Sequence, residues 1–199
     1  MRLGIYGGTF SPPHMGHIAA AKAFVDAIKP DKLLIIPTNI PPHKDFSSAV
    51  SAEDRLNMCR LAFSEIPCAG VSDMEIQRGG RSYTYMTLEA LSSEENDIFL
   101  LCGTDMILTL DEWKRCERIF ELATICYVRR ECDEERGELI KEKVALYRER
   151  YGARIIGIDH TVLEMSSSDI RDALYTGSDS SNMLTSNIAG YIRERGLYK

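Results

Sequence analysis

Long apolar runs are missing from this 199-residue chain. The most apolar stretches, such as 33–36 and 98–102, have strand length and fall far short of the roughly 20 residues that a membrane-spanning helix needs. The N-terminal apolar stretch has one basic residue, Arg2, and breaks at Gly7, so it lacks the core of a secretory leader. A soluble, cytoplasmic protein with no membrane partner is expected. The six cysteines, at 59, 68, 102, 116, 126 and 132, include no Cys-x-x-Cys pair, which argues against a zinc ribbon or a thioredoxin-like redox site and leaves reduced thiols. Positive charge is not in excess either, with a formal net charge of -6. Because affinity for nucleic acid rests on clustered Lys and Arg, no nucleic-acid partner is expected. A small anion can still bind where helix termini and local cations converge. Gly-x-Gly-x-x-Gly and Gly-x-x-x-x-Gly-Lys-Ser/Thr are absent, which excludes the dinucleotide fingerprint and the P-loop. There is no internal repeat, low-complexity tract or evident linker.

What is present is enough apolar material, 44%, to build one sizeable core. β-rich runs recur at 3–6, 33–37, 71–76, 98–103, 123–129 and 154–158. Helical spacing lies between or after them at 18–28, 53–64, 133–151 and 188–199. This alternation predicts a Rossmann-like, doubly wound α/β fold, with a mainly parallel sheet of about six strands and helices on both faces. One domain is expected over 1–199, with a small C-terminal helical part from about 166. In such folds a ligand lies beyond the carboxyl ends of the strands, where strand order reverses. The stretches 38–51 and 178–186 read as loops long enough to be functional.

The stretch GIYGGTFSPPHMGHIAA, residues 4–20, follows the first expected strand and opens the first helix. Gly7 and Gly8 allow close backbone approach to a ligand, Pro12 and Pro13 stiffen the turn, and a helix start near His14 offers free N–H groups. His14 and His17 are three apart and share a face. Taken alone, such a pair is equally a helix cap, two ligands of a zinc site short of a third, or a phosphate-binding pair. Late in the chain EMSSSDIR, residues 164–171, places three serines and Arg171 at another helix start, where serine commonly serves as a cap.

The full pattern Gly-Gly-Thr-Phe-x-Pro-x-His-x-Gly-His together with Ser166, Ser167, Ser168, Ile170 and Arg171 resembles the two signatures of the nucleotidyltransferase superfamily of α/β phosphodiester synthases. The segments IPTNIPPHK at 36–44, RSYTYMTLEAL at 81–91 and CGTDMILTLDEWKR at 102–115, with YVRR at 127–130 and the closing IRERGLYK, extend the resemblance to its nicotinate-nucleotide adenylyltransferases. The resemblance implies adenylyl transfer from ATP to nicotinate mononucleotide, with His14, His17, Lys44 and Arg171 as the catalytic groups. It implies ATP contacts from Gly8, Thr9, Phe10 and His17, from Gly103 and Asp105, and from the late Ser166–Ser167–Ser168, Ile170 and Arg171. It implies that nicotinate mononucleotide is met by Gly7, Gly8, Thr9 and Lys44, with its pyridine carboxylate near Tyr83 and Thr84 and its ring on Trp113. No dedicated metal ligands are implied, Mg²⁺ arriving with ATP, and a homo-oligomer is left open. Ser11 stands where the family has Asp, and the role of the family arginine matched by Arg130 is left open. Nicotinamide mononucleotide or phosphopantetheine as acceptor, a non-catalytic nucleotide sensor and a His-x-x-His metalloprotein are the competing readings.

Overall fold

The computed structural model describes residues 1–42, 50–129, 134–159, 165–179 and 182–199. The apolar runs form six strands: β1 (Arg2–Gly8), β2 (Lys32–Pro37), β3 (Ala69–Val71), β4 (Asp97–Cys102), β5 (Ala123–Arg129) and β6 (Ile155–Asp159). They make one sheet in the order β3-β2-β1-β4-β5-β6, and every neighbouring pair is parallel. Strand order therefore reverses between β1 and β4, whose carboxyl ends, Gly8 and Cys102, mark the crevice expected of a doubly wound sheet. The helices are α1 (Met15–Ile28), α2 (Ala52–Ala62), α3 (Met74–Arg78), α4 (Thr84–Leu91), α5 (Thr104–Thr109), α6 (Cys116–Leu122), α7 (Glu134–Tyr151), α8 (Ser167–Thr176) and α9 (Ser186–Arg195). Among the described residues, no helix is long and apolar enough to cross a membrane.

A parallel sheet must bury both faces, and two apolar clusters do so. Phe24 and Ile28 of α1, Ile170 of α8 and Ile188 of α9 join Tyr6 and Phe10 on one side. Leu88, Ile107, Phe120 and Tyr147 cover the other, with Leu3 and Ile5 of β1. The period of two in β1 thus sends alternate residues into opposite cores. Gly4 points toward α1, where a Cβ would lie 2.7 Å from Phe24 Cε1, so its lack of a side chain sets how closely α1 approaches the sheet. The C-terminal α9 is fastened to α2 through the Asp54 carboxylate. Oδ1 accepts from Tyr191 Oη at 2.9 Å and Arg195 Nε at 3.2 Å.

One expected strand is corrected. The run 71–76 does not continue as β-structure: β3 stops at Val71, and Met74–Arg78 forms a short helix. Met74 and Ile76 alternate like strand residues, but Ser72 N on Ile35 O at 2.9 Å is the last rung of the ladder, and the Ser72 hydroxyl then accepts from Met74 N at 3.4 Å where the helix starts. The last helix is also shorter than its apolar spacing predicts, ending at Gly196 in a left-handed turn (φ 63°).

Gly4→Ala is expected to destabilise the protein by about 1–3 kcal/mol, the usual cost of overfilling a packed core. Urea unfolding checks this against Gly7→Ala, which meets nothing within 4 Å and is expected to leave the midpoint unchanged.

Candidate active site

Beyond Gly8 the chain leaves the sheet through Thr9 and Phe10. Phe10 takes a left-handed conformation (φ 49°), which is costly for a bulky residue and persists only where packing compels it. Its ring supplies that packing, edge-on to Tyr6 at 5.4 Å and to Phe63 at 5.8 Å. Phe10 thus anchors the loop through a side chain that is only 2% exposed.

The loop delivers His14 to the N-cap of α1. The backbone N–H of His14 donates to Nδ1 of His17 at 3.2 Å, so one imidazole does cap the helix. A neutral ring that accepts at Nδ1 carries its proton on Nε2, which makes His17 a hydrogen-bond donor without charge. The two rings lie 3.7 Å apart between centroids, and the edge contact of Phe10 with His17 is 5.0 Å. Burial pulls the His14 imidazole down to about 4, and burial followed by the neighbouring His14 puts His17 well below the usual value. Both rings are therefore neutral at pH 7. His14 Nδ1 is buried against the first turn of α1.

The late serine-arginine motif docks on this loop. Met165 Sδ accepts from Gly16 N at 3.3 Å, and Ser167 Oγ donates to Pro12 O at 3.0 Å. Arg171 donates to Ser11 O at 2.8 Å and to Ser168 Oγ at 2.9 Å. Ser166 caps α8 in a reciprocal box with Asp169. Ser167 and Arg171 thus fasten the start of α8 to the loop that enters α1, while the Ser166 and Ser168 hydroxyls bond within α8 itself. Ile170 is fully buried and serves as a core residue. Ser11 is 4% exposed, and its hydroxyl lies 3.0 Å from Tyr198 Oη. A neutral residue suits that buried position better than an unpaired carboxylate.

On the opposite face of the sheet, a cavity of about 530 Å³ opens beside β1 and β4. It is lined by Gly7, Gly8 and Thr9 and by Tyr83, Thr84 and Trp113, every described residue expected to meet nicotinate mononucleotide. Asp105, expected on the adenosine side, lines the same cavity and is ion-paired with Arg136. Gly103 is the N-cap of α5 just beyond β4. Tyr83 is the N-cap of α4 and provides no side-chain cap, which leaves first-turn N–H groups available to an anion. Lys44 and Arg130 lie outside the described residues.

Sequence reasoning missed Arg55. This side chain is 0% exposed and donates to Thr9 O at 2.9 Å and Asn39 O at 3.1 Å, joining the loops that leave β1 and β2. Within the helical run 53–64 an arginine reads as solvated, and only three-dimensional placement shows otherwise. Residues 39–42 are in turn laced to the approach to α4, by Asn39 N on Ser82 Oγ at 2.9 Å and Ser82 N on Ile40 O at 2.9 Å.

Paired helix starts on one side of a glycine gap and an apolar, polar-tipped cavity on the other define a nucleotide-binding α/β protein. The cytidylyltransferase-like family model matches residues 5–173. A probable nicotinate-nucleotide adenylyltransferase from Desulfatibacillum aliphaticivorans is 37% identical, covering 100% of both chains. One from Citrifermentans bemidjiense is 34% identical over 100% of this chain and 98% of its own. The solved structure of Plasmodium falciparum nicotinic acid mononucleotide adenylyltransferase complexed with NaAD shares the fold, with TM-score 0.74 and 18% identity over 99% of this chain and 97% of its own. The chain belongs to the cytidylyltransferase-like family, in its nicotinate-nucleotide adenylyltransferase branch.

The neutral histidines set a pH dependence. A folded-state value near 4 for His14 against about 6.5 unfolded means the unfolded chain binds more protons between those values, so stability falls as pH drops through that window. The contribution of His14 is on the order of 3 kcal/mol, fully present above about pH 6.5. Urea midpoints at pH 7 and pH 4.5 are expected to differ less for His14→Gln than for the unaltered protein.

Proposed function

We propose that this protein transfers the adenylyl group of MgATP to nicotinate mononucleotide, giving nicotinate adenine dinucleotide and pyrophosphate. The observation that carries the reading is the glycine gap at Gly7–Gly8. It separates a cavity holding Tyr83, Thr84 and Trp113 from the cluster of His14, His17 and Arg171. A mononucleotide seated in the cavity directs its 5′-phosphate toward the gap, and the triphosphate meets the helix starts beyond it. Cβ space at Gly7 is open, which suits close approach of a ligand.

The chemistry asks little of the protein beyond placement. A phosphate monoester has a second pKa of about 6 and is largely ionised near neutrality, so no strong base is required. A phosphate oxygen attacks the α-phosphorus, a new P–O bond forms, and the bond to the β-phosphate oxygen breaks with departure of pyrophosphate. Catalysis then rests on alignment and on donors aimed at the developing charge. His17 supplies an uncharged N–H, Arg171 a fixed guanidinium already held by Ser11 O and Ser168 Oγ, and α8 its first-turn N–H groups, those of Met15 and Gly16 in α1 being taken by Met183 O and Met165 Sδ. Lys44, from the sequence resemblance, would add a cation. Trp113 would stack on the pyridine ring, the N-terminus of α4 would receive its carboxylate, and Asp105, lining this cavity, would accept from a ribose hydroxyl. Mg²⁺ enters with ATP, held chiefly by phosphates and water.

Pyrophosphate release from ATP and nicotinate mononucleotide tests the reading, which predicts turnover, with nicotinamide mononucleotide the poorer acceptor. Binding of both substrates without release supports a sensor instead. His17→Ala is expected to lower kcat about a hundredfold, the typical loss of a donor to a transition-state anion, while a folded circular dichroism spectrum persists. Gly7→Ala is expected to raise KM for the mononucleotide without loss of stability, because its methyl group projects into open space at the cavity.

A further inference from the structure

The cavity beside α4 poses a problem of charge. Among its described lining residues, three are carboxylates, Glu75, Asp105 and Glu112, and Lys114 is the one cation. A ligand carrying a pyridine carboxylate would enter a wall of its own sign. Two of the carboxylates are engaged: Glu75 accepts from Thr87 Oγ1 at 2.5 Å with Arg78 at 3.8 Å, and Asp105 is paired with Arg136. Glu75 Oε2 nonetheless remains buried without a partner, in a residue that is 5% exposed. Lys114 is not used against any of the three. Its Nζ rests 4.4 Å from the centroid of the Tyr83 ring, and among the described residues it has no carboxylate within ion-pair distance.

The backbone fixes this placement. Trp113 ends the 3-10 turn Leu110–Glu112, and Arg115 takes a left-handed conformation (φ 54°) as the N-cap of α6. The Arg115 guanidinium lies 5.2 Å from the Tyr85 ring. Residues 113–115 are thereby laid along the first turn of α4, and the ammonium of Lys114 sits on the ring of the residue that caps it. A cation on an aromatic face stays partly held yet keeps its charge available, and here it adds to the partial positive charge of the helix start.

We propose that Lys114 is a specificity-determining residue that separates an acid from an amide on the pyridine ring. The inference rests on the adenylyl-transfer reading above. A carboxylate gains the attraction of the ammonium and is shielded from Glu75 and Glu112, whereas a carboxamide has no net charge to gain it. The attraction is equal in ground and transition states, so it acts on KM rather than kcat.

The test compares kcat/KM for nicotinate and nicotinamide mononucleotides, at low and high KCl, in the unaltered protein, Lys114→Gln and Lys114→Arg. Lys114→Gln is expected to lower kcat/KM for the acid about fivefold, the scale of a solvent-facing ion pair, mainly through KM, with the amide nearly unaffected. Lys114→Arg should retain the preference. Added salt should erode that preference in the unaltered protein and not in Lys114→Gln. An equal loss for both acceptors, or an unchanged ratio, overturns the inference while leaving adenylyl transfer in place. Absence of turnover with either acceptor in the unaltered protein overturns the adenylyl-transfer reading, and the inference with it.

Discussion

The geometry of the site depends on one buried guanidinium. Arg55 spans the carbonyls of Thr9 and Asn39, one and two residues beyond the ends of β1 and β2. Removing an arginine from water is expensive, and burial lowers its proton affinity, so the interaction persists only because good hydrogen-bond geometry offsets the desolvation. With both exits pinned and Phe10 held in its left-handed turn by packing on Tyr6 and Phe63, the loop runs on to start α1. Asn39 in turn holds the approach to α4. The histidine side and the Trp113 side of the crevice are thus linked through a residue that belongs to neither.

The sheet divides labour between its faces. Tyr6 and Phe10 belong to the core under α1, α8 and α9, and Ile5 to the core under α4, α5 and α7. The same alternation that buries β1 on both sides carries over into the site, with the histidines and Arg171 on one side of the glycine gap and Trp113 and Tyr83 on the other. A reaction that joins two nucleotides needs such a division, since each partner must be held by its own face and meet the other at one point. The neutral state of both imidazoles follows from burial: His17 lies against Phe10 and Tyr6, and for His14 burial outweighs the opposing pull of Asp169.

Much of this was legible in the chain. The alternation of strands and helices gave the topology, and the spacing of His14 and His17 placed both on one helix start. The distant Ser166–Arg171 motif, picked out by the same resemblance, meets that start. Three features were not legible. Met74 and Ile76 imitate strand alternation, but beyond Ser72, whose hydroxyl accepts from Met74 N, the chain enters a short helix. Arg55 has the composition of a surface residue, and Asp105, which the resemblance allots to ATP, lines the same cavity as Tyr83 and Trp113. Each depends on contacts made across the fold, which local pattern does not encode. Ser11, the one departure inside the opening motif, proves to be a buried partner of Tyr198.

The most direct measurement of the central claim follows the α-phosphorus. With ATP labelled at that position and nicotinate mononucleotide as acceptor, the account predicts that the label appears in nicotinate adenine dinucleotide and that unlabelled pyrophosphate forms in equal amount. Label retained in ATP while both ligands are bound, or released as AMP with no dinucleotide, would contradict it.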